Sequence, residues 1–201
     1  MPMAATKEYS CVKRTKKAFE TSLADLAKEN PLNKVTVKML CEKAQLSRNA
    51  FYFHYKDINH LIQEIEDSLI EEATQLTDEF EKLGFPENIL ATVSGLIELF
   101  DERRDTALML MDKTYSVSFT DRLGQVFADF NYKYYTMYNK HARRELYDAY
   151  YSFISNGFYG TLRYWIENPD VITKKELTRL TYILVKRLIV PGDPDIKEYI
   201  K

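Results

Sequence analysis

Apolar positions recur every three or four residues along nearly the whole chain, and they alternate nowhere for long. That is the period of helices, not strands. Over residues 13–29, Ala18, Phe19, Leu23, Leu26 and Ala27 share one face, and Pro31 then breaks the pattern. Thr36 is a good N-cap for the next segment, in which Val37, Leu40, Cys41 and Ala44 fall at i, i+3, i+4 and i+7. After the turn "QLS", Ser47 can cap a helix of about two turns that ends near Tyr55. A long helix follows from Ile58 to about Leu83, with Leu61, Ile62, Ile65, Leu69, Ala73, Leu76 and Phe80 inside, and "GFPEN" ends it. The same periodicity predicts helices at about 87–102, 104–113, 118–139, 142–167 and 173–190. The expected class is all-α with about nine helices: a head of three short helices over 1–57 and a larger helical bundle as body over 58–201. Short loops favour packed helices over linked modules.

Composition and charge narrow what such a bundle can do. No run of about 18 uncharged apolar residues is present, so no membrane partner is expected. The start, "MPMAATKEYSCVKRTKK", lacks the apolar core of a secretory signal. Cys11 and Cys41 are the only cysteines and form no CxxC pair, which fits a cytoplasmic, reducing setting. The net charge of −2 conceals an asymmetry. Residues 1–60 hold 11 Lys and Arg against 6 Asp and Glu, whereas 61–201 hold 17 against 24. A basic head on an acidic body directs the head, and not the body, toward a polyanion. No nucleophile–base pair, Gly-rich phosphate loop or paired metal ligands stands out, so an enzyme is poorly supported. His54, Asp57 and His60 stand three apart, but a helix junction falls among them. No metal and no cofactor is expected.

The stretch "LSRNAFYFHYKD", residues 46–57, sets Phe51, Tyr52, Phe53, His54 and Tyr55 in a row beside Arg48, Asn49 and Lys56. Three short helices joined by a tight turn form the pattern of a helix-turn-helix, whose last helix packs on one face and presents the other to a groove. Phe51 and Tyr55, four apart, belong to the packing face against Leu23, Leu40 and Ala44. Arg48, Asn49, Tyr52 and Phe53 then point elsewhere.

The segment "TVKMLCEKAQLSRNAFYFHYKDINHLI" resembles the DNA-binding module of the TetR family of bacterial transcriptional regulators. Thr36, Ala44, Ser47, Phe51, Tyr52, His54, Tyr55 and Leu61 follow that family's order and spacing. The flavour "R-x-x-FYxHYKD" is similar to the branch that includes regulators of dihydroxyacetone metabolism. The resemblance implies that Thr36 caps the second helix and binds a phosphate, and that Lys38 reaches a base edge or phosphate. It implies that Ser47, Arg48 and Asn49 enter the major groove, where Arg pairs with guanine and Asn with adenine. Tyr52 and His54 would contact phosphates, Lys56 would add charge there, and Lys13, Arg14, Lys16 and Lys17 would lie near the flanking backbone. Three positions depart from the family's pattern. Gln45 stands where Gly is usual, which asks the turn for a left-handed side-chain residue. Asn49 replaces a small residue, and Ile58 a phosphate-binding Lys.

The body holds most of the 15 tyrosines. They suit a helical core with Tyr at its rim, or an apolar cavity with hydroxyl anchors, lined by Met109, Tyr115, Phe119 and Phe127. The segment "YYSFISNGFYGTLRYW" sets Gly157 and Gly160 among large residues, and "LTRLTYILVKRLIV" is apolar around most of its circumference. The helices at about 142–167 and 173–190 are therefore read as a homodimer interface, a four-helix bundle across a two-fold axis as the family implies. The resulting expectation is a ligand-responsive repressor, a dimer on a near-palindromic operator in double-stranded DNA, controlled by an unidentified small-molecule effector. An activator or co-activator with the same head, and an interaction protein that keeps the fold without binding DNA, are the alternatives.

Overall fold

The computed structural model describes residues 3–111, 117–139 and 143–189. The described residues contain nine α-helices and no strand: α1 (Met3–Ala27), α2 (Val37–Ala44), α3 (Arg48–His54), α4 (Ile58–Phe80), α5 (Glu87–Glu102), α6 (Arg104–Leu110), α7 (Val117–Tyr138), α8 (Arg144–Glu167) and α9 (Lys174–Ile189). The helix boundaries follow the periodicity closely, with two informative differences. First, α1 begins at Met3, well before residue 13. Residues 3–12 contain neither Pro nor Gly, so propensity carries the helix beyond the reach of the apolar stripe. Second, α4 stops at Phe80, and Glu81–Leu83 tighten into a 3₁₀ turn before Gly84 adopts a φ of 76°.

The chain divides into two compact units. One holds α1–α3, α4 as far as Leu69, and α6 from Asp105. The other holds α4 from Ile70, α5, and α7–α9. The division falls inside α4 rather than at its start, and α6 returns to the head. In that first unit, Phe19, Leu23, Leu40 and Phe51 are fully buried. Each such side chain contributes about 1.5–3 kcal/mol. The helix α6 docks by Ala107 and Leu110, both fully buried, while the Thr106 hydroxyl donates to Glu20 Oε1 over 3.1 Å. Lys28 pairs with Asp105 at 2.7 Å.

In the second unit the core runs through Ile89, Leu96, Ile97 and Phe100 of α5, Phe119 and Leu123 of α7, Tyr147, Leu162 and Trp165 of α8, and Leu177 of α9. The Tyr147 hydroxyl donates to the carbonyl of Ala128 over 2.6 Å, so α8 is tied to α7 inside the core. A Cβ at Gly95 would sit 3.1 Å from the Phe80 ring and 3.2 Å from Leu76, so glycine there lets α4 and α5 close together. Asp101 accepts from Arg104 and pairs with Lys174, each at 2.7 Å, and those two cations hold its carboxyl below the usual carboxylate range. The Arg104 guanidinium also covers the Trp165 ring at 4.7 Å and donates to the carbonyl of Ile166 at the end of α8.

Candidate nucleic-acid interface

The three helices of the head are positioned by their own termini. Thr36 Oγ1 accepts from the Met39 amide at 3.3 Å, and Ser47 Oγ from the Ala50 amide at 3.1 Å, so both expected N-caps form. Between them Gln45 is left-handed, with φ 54° and ψ 39°. Its amide donates to Glu42 and Cys41, and the Leu46 amide donates to Cys41 over 3.0 Å. This is a Schellman ending to α2 with glutamine in the position that favours glycine. The Phe19 ring meets Phe51 edge-on at 5.4 Å between centroids and Tyr55 at 6.1 Å, which clamps α3 onto α1. Burial raises the Tyr55 hydroxyl's pKa, with the charges of Glu64 and Glu20 adding to the shift.

With Phe51 and Tyr55 turned inward, the opposite side of α3 faces solvent. Phe53 is 79 % exposed and Tyr52 59 %. Thr36, Lys38, Ser47, Arg48, Asn49 and Lys56 are all exposed, and His54 is half-buried. The side chains of Arg48 and Asn49 have no hydrogen-bond or ion-pair partner among the described residues, whereas Lys38 lies a loose 3.9 Å from Glu42. The starts of α2 and α3 and the α3–α4 junction thus each carry exposed polar groups. Not every basic residue of α1 is free for a ligand. Lys16 donates to both Glu64 oxygens, at 2.7 and 3.2 Å, and lies over the Tyr55 ring, and Lys17 pairs with Glu20. Burial and then the charge of Lys16 lower the His54 pKa, with Glu64 opposing. At the α3–α4 junction His60 and Asp57 are engaged locally: His60 Nδ1 accepts from the Lys56 amide, and Asp57 caps α4 by accepting from the His60 amide.

The second unit holds a narrow cavity of about 60 Å³ between α5, α7, α8 and α9. Of the four residues expected to line a pocket, Phe127 lines this one. Met109 packs in the first unit and Phe119 is sealed in the core, so neither faces the cavity. Tyr115 lies outside the described residues. Elsewhere on this unit, α8 carries Leu146, Tyr150, Phe153, Gly157, Gly160 and Tyr164 along one exposed face, spaced by four and three in alternation. Phe153 is 75 % exposed, and added Cβ atoms at Gly157 and Gly160 would meet nothing among the described residues within 4 Å. Leu180 and Leu184 of α9 are exposed as well.

A TetR family of C-terminal regions, described as "Transcriptional regulator C-terminal region", matches residues 87–187. The chain belongs to the TetR family of transcriptional regulators. No curated protein matches the sequence. Several solved structures share this TetR fold. A TetR transcriptional regulator from Streptococcus agalactiae 2603V superposes with a TM-score of 0.59 at 21 % identity, covering 90 % of this chain and 98 % of its own. The TetR-family regulator PfmR from Thermus thermophilus gives 0.59 at 13 % identity, with 86 % and 94 % covered. A transcriptional regulator from Aquifex aeolicus VF5 gives 0.57 at 19 %, with 86 % and 98 % covered. In this TetR-family head the turn survives its departure, because Gln45 takes the left-handed conformation itself. Ile58, half-buried, opens α4. Among the described residues no helix is long and apolar enough to cross a membrane.

Sequence reading missed the polar residues of the cavity. Thr92, Asn131, Ser155 and Thr181 face it beside Tyr151 and Tyr159. A signal existed for Thr92: it interrupts the stripe Ile89, Val93, Leu96, where a purely structural position would be apolar.

Proposed function

We propose that this TetR-family protein is a ligand-responsive DNA-binding repressor that acts as a homodimer on a near-palindromic operator. Residues 1–57 are assigned to DNA binding, and residues 58–201 to effector binding and dimerisation. The observation that carries the reading is α3: its rings Phe51 and Tyr55 are locked inside the head, which leaves Arg48, Asn49 and Tyr52 unburied on the side away from the core. Arg48 and Asn49 occupy the first turn of α3, where a recognition helix meets base edges. The helix N-terminus at Thr36 and the cation Lys56 suit flanking phosphates.

The alternating stripe on α8 supports the dimer. A spacing of three and four keeps one seam facing a partner helix at a shallow crossing, as in a four-helix bundle. Gly157 and Gly160 at its centre have no neighbour among the described residues to explain them, and a second copy's α8 would supply one. Two heads would then occupy successive major grooves about 34–36 Å apart. The effector enters the second unit and biases α4, which both units share, toward a head spacing that DNA does not fit. The size of the switch is the effector's differential affinity for the two spacings, about 1–3 kcal/mol in typical cases. The motif over residues 48–57 supports placing the chain near the branch of dihydroxyacetone regulators, and its cysteine usage supports a cytoplasmic setting.

Arg48→Ala tests the base-reading role. It is expected to cost about 1–3 kcal/mol of operator affinity and to relax preference at one base position. An equal loss across all operator variants would remove that role.

A further inference from the structure

The cavity of the second unit differs from a packing defect in what faces it. None of the residues that line it carries a formal charge, and Phe127, Phe130 and Phe158 supply broad apolar wall. Into that wall α5 sets Thr92, 5 % exposed, whose Oγ1 has no hydrogen-bond partner among the described residues. One turn earlier on α5, Asn88 is fully buried with both amide atoms equally unpartnered. Orphaned polar atoms of this kind are costly, and valine at position 92 would fill the same shape without one. Tyr159, whose hydroxyl burial keeps protonated with smaller contributions from Tyr151 and Asp121, lies opposite on α8 as a further donor.

We infer that this cavity binds a small uncharged molecule with an apolar body and one hydroxyl or carbonyl group, held by a hydrogen bond to Thr92 Oγ1. The class follows from the lining. A charged ligand would be buried without a counter-ion, at a large desolvation penalty. A volume of about 60 Å³ admits only a few non-hydrogen atoms, since benzene occupies a cavity of about 150 Å³. The threonine hydroxyl both donates and accepts, so an alcohol or a ketone satisfies it. The regulatory meaning of this binding rests on the ligand-responsive reading above, but the binding itself does not.

Methyl NMR of the full-length protein tests the inference, with Thr92, Val93, Thr181 and Val185 as reporters and ethanol, acetone and acetate as probes. The alcohol and the ketone are expected to give saturable shifts, and acetate none. Thr92→Val is expected to weaken the alcohol by about five- to tenfold. Absence of saturable binding by either neutral probe, acetate binding as tightly as they do, or an unchanged affinity in a folded Thr92→Val protein would each overturn it. If that variant does not fold, the three-probe comparison on the unaltered protein decides alone. Gel shifts on the same samples separate the two readings. Neutral probes that occupy the cavity without changing DNA affinity leave the ligand class standing and sink ligand response. An anion that fills the cavity and releases DNA does the reverse.

Discussion

Gln45 and His54 are the residues at which local chemistry and function pull in different directions. A non-glycine residue at φ 54° is strained, because its Cβ crowds the following carbonyl. Gln45→Gly is expected to stabilise the head by about 0.5–1 kcal/mol, and denaturant unfolding of the two proteins measures it. An unchanged or lower midpoint would mean that the glutamine side chain offsets the strain. His54 starts with a lowered pKa, so the folded state binds fewer protons than the unfolded chain. Its contribution to stability is therefore present above the ordinary value of about 6.5 and is lost as pH falls through the lower folded value. A DNA phosphate beside the ring would favour the charged form. Binding should then take up a proton, and operator affinity should rise as pH falls below about 6.5. Anisotropy titrations across pH check this, and His54→Gln is expected to flatten the profile. The inward half of this chemistry was legible in sequence, since Phe51 and Tyr55 stand four apart and the caps at Thr36 and Ser47 are of the right type. The pairing of Lys16 with Glu64 was not, because it joins two helices whose relative rotation no local pattern encodes.

At the scale of elements, periodicity located most helices to within a few residues, because each buries one stripe and ends at a Pro, a Gly or a capping residue. It missed the association of α6 with the head, whose contacts, such as Thr106 to Glu20, join residues as far as 86 positions apart in sequence. Of the apolar helical residues Met109, Phe119 and Phe127, Phe127 alone lines the cavity between α5, α7, α8 and α9, a distinction that periodicity does not encode. Gly157 and Gly160, with the apolar circumference of the segment at 177–190, singled out α8 and α9 together as the expected dimer interface, and the seam on α8 carries Phe153. A charge in that seam should open it. Phe153→Glu is expected to convert a dimer of the unaltered protein into a monomer in multi-angle light scattering, with helical content unchanged. A monomeric unaltered protein would contradict the dimer.

For the whole molecule, the proposed reading gives DNA contact to the basic residues 1–60 and leaves the acidic residues 61–201 for assembly and effector binding. The charge asymmetry of the sequence supports that division, and Gln45 and Ile58 are the positions that depart from the family's pattern within it. The turn at Gln45 keeps its geometry, so what remains to be measured is the grip itself. Salt dependence measures it most directly, because each phosphate contact adds about 0.9 to the slope of log affinity against log salt. The unaltered protein, titrated against its own upstream DNA, is expected to lose affinity steeply and linearly on that plot. Lys56→Ala is expected to reduce the slope by about 1 for each head. A slope near zero, or one that Lys56→Ala leaves unchanged together with the affinity, would contradict the assignment of this head to DNA.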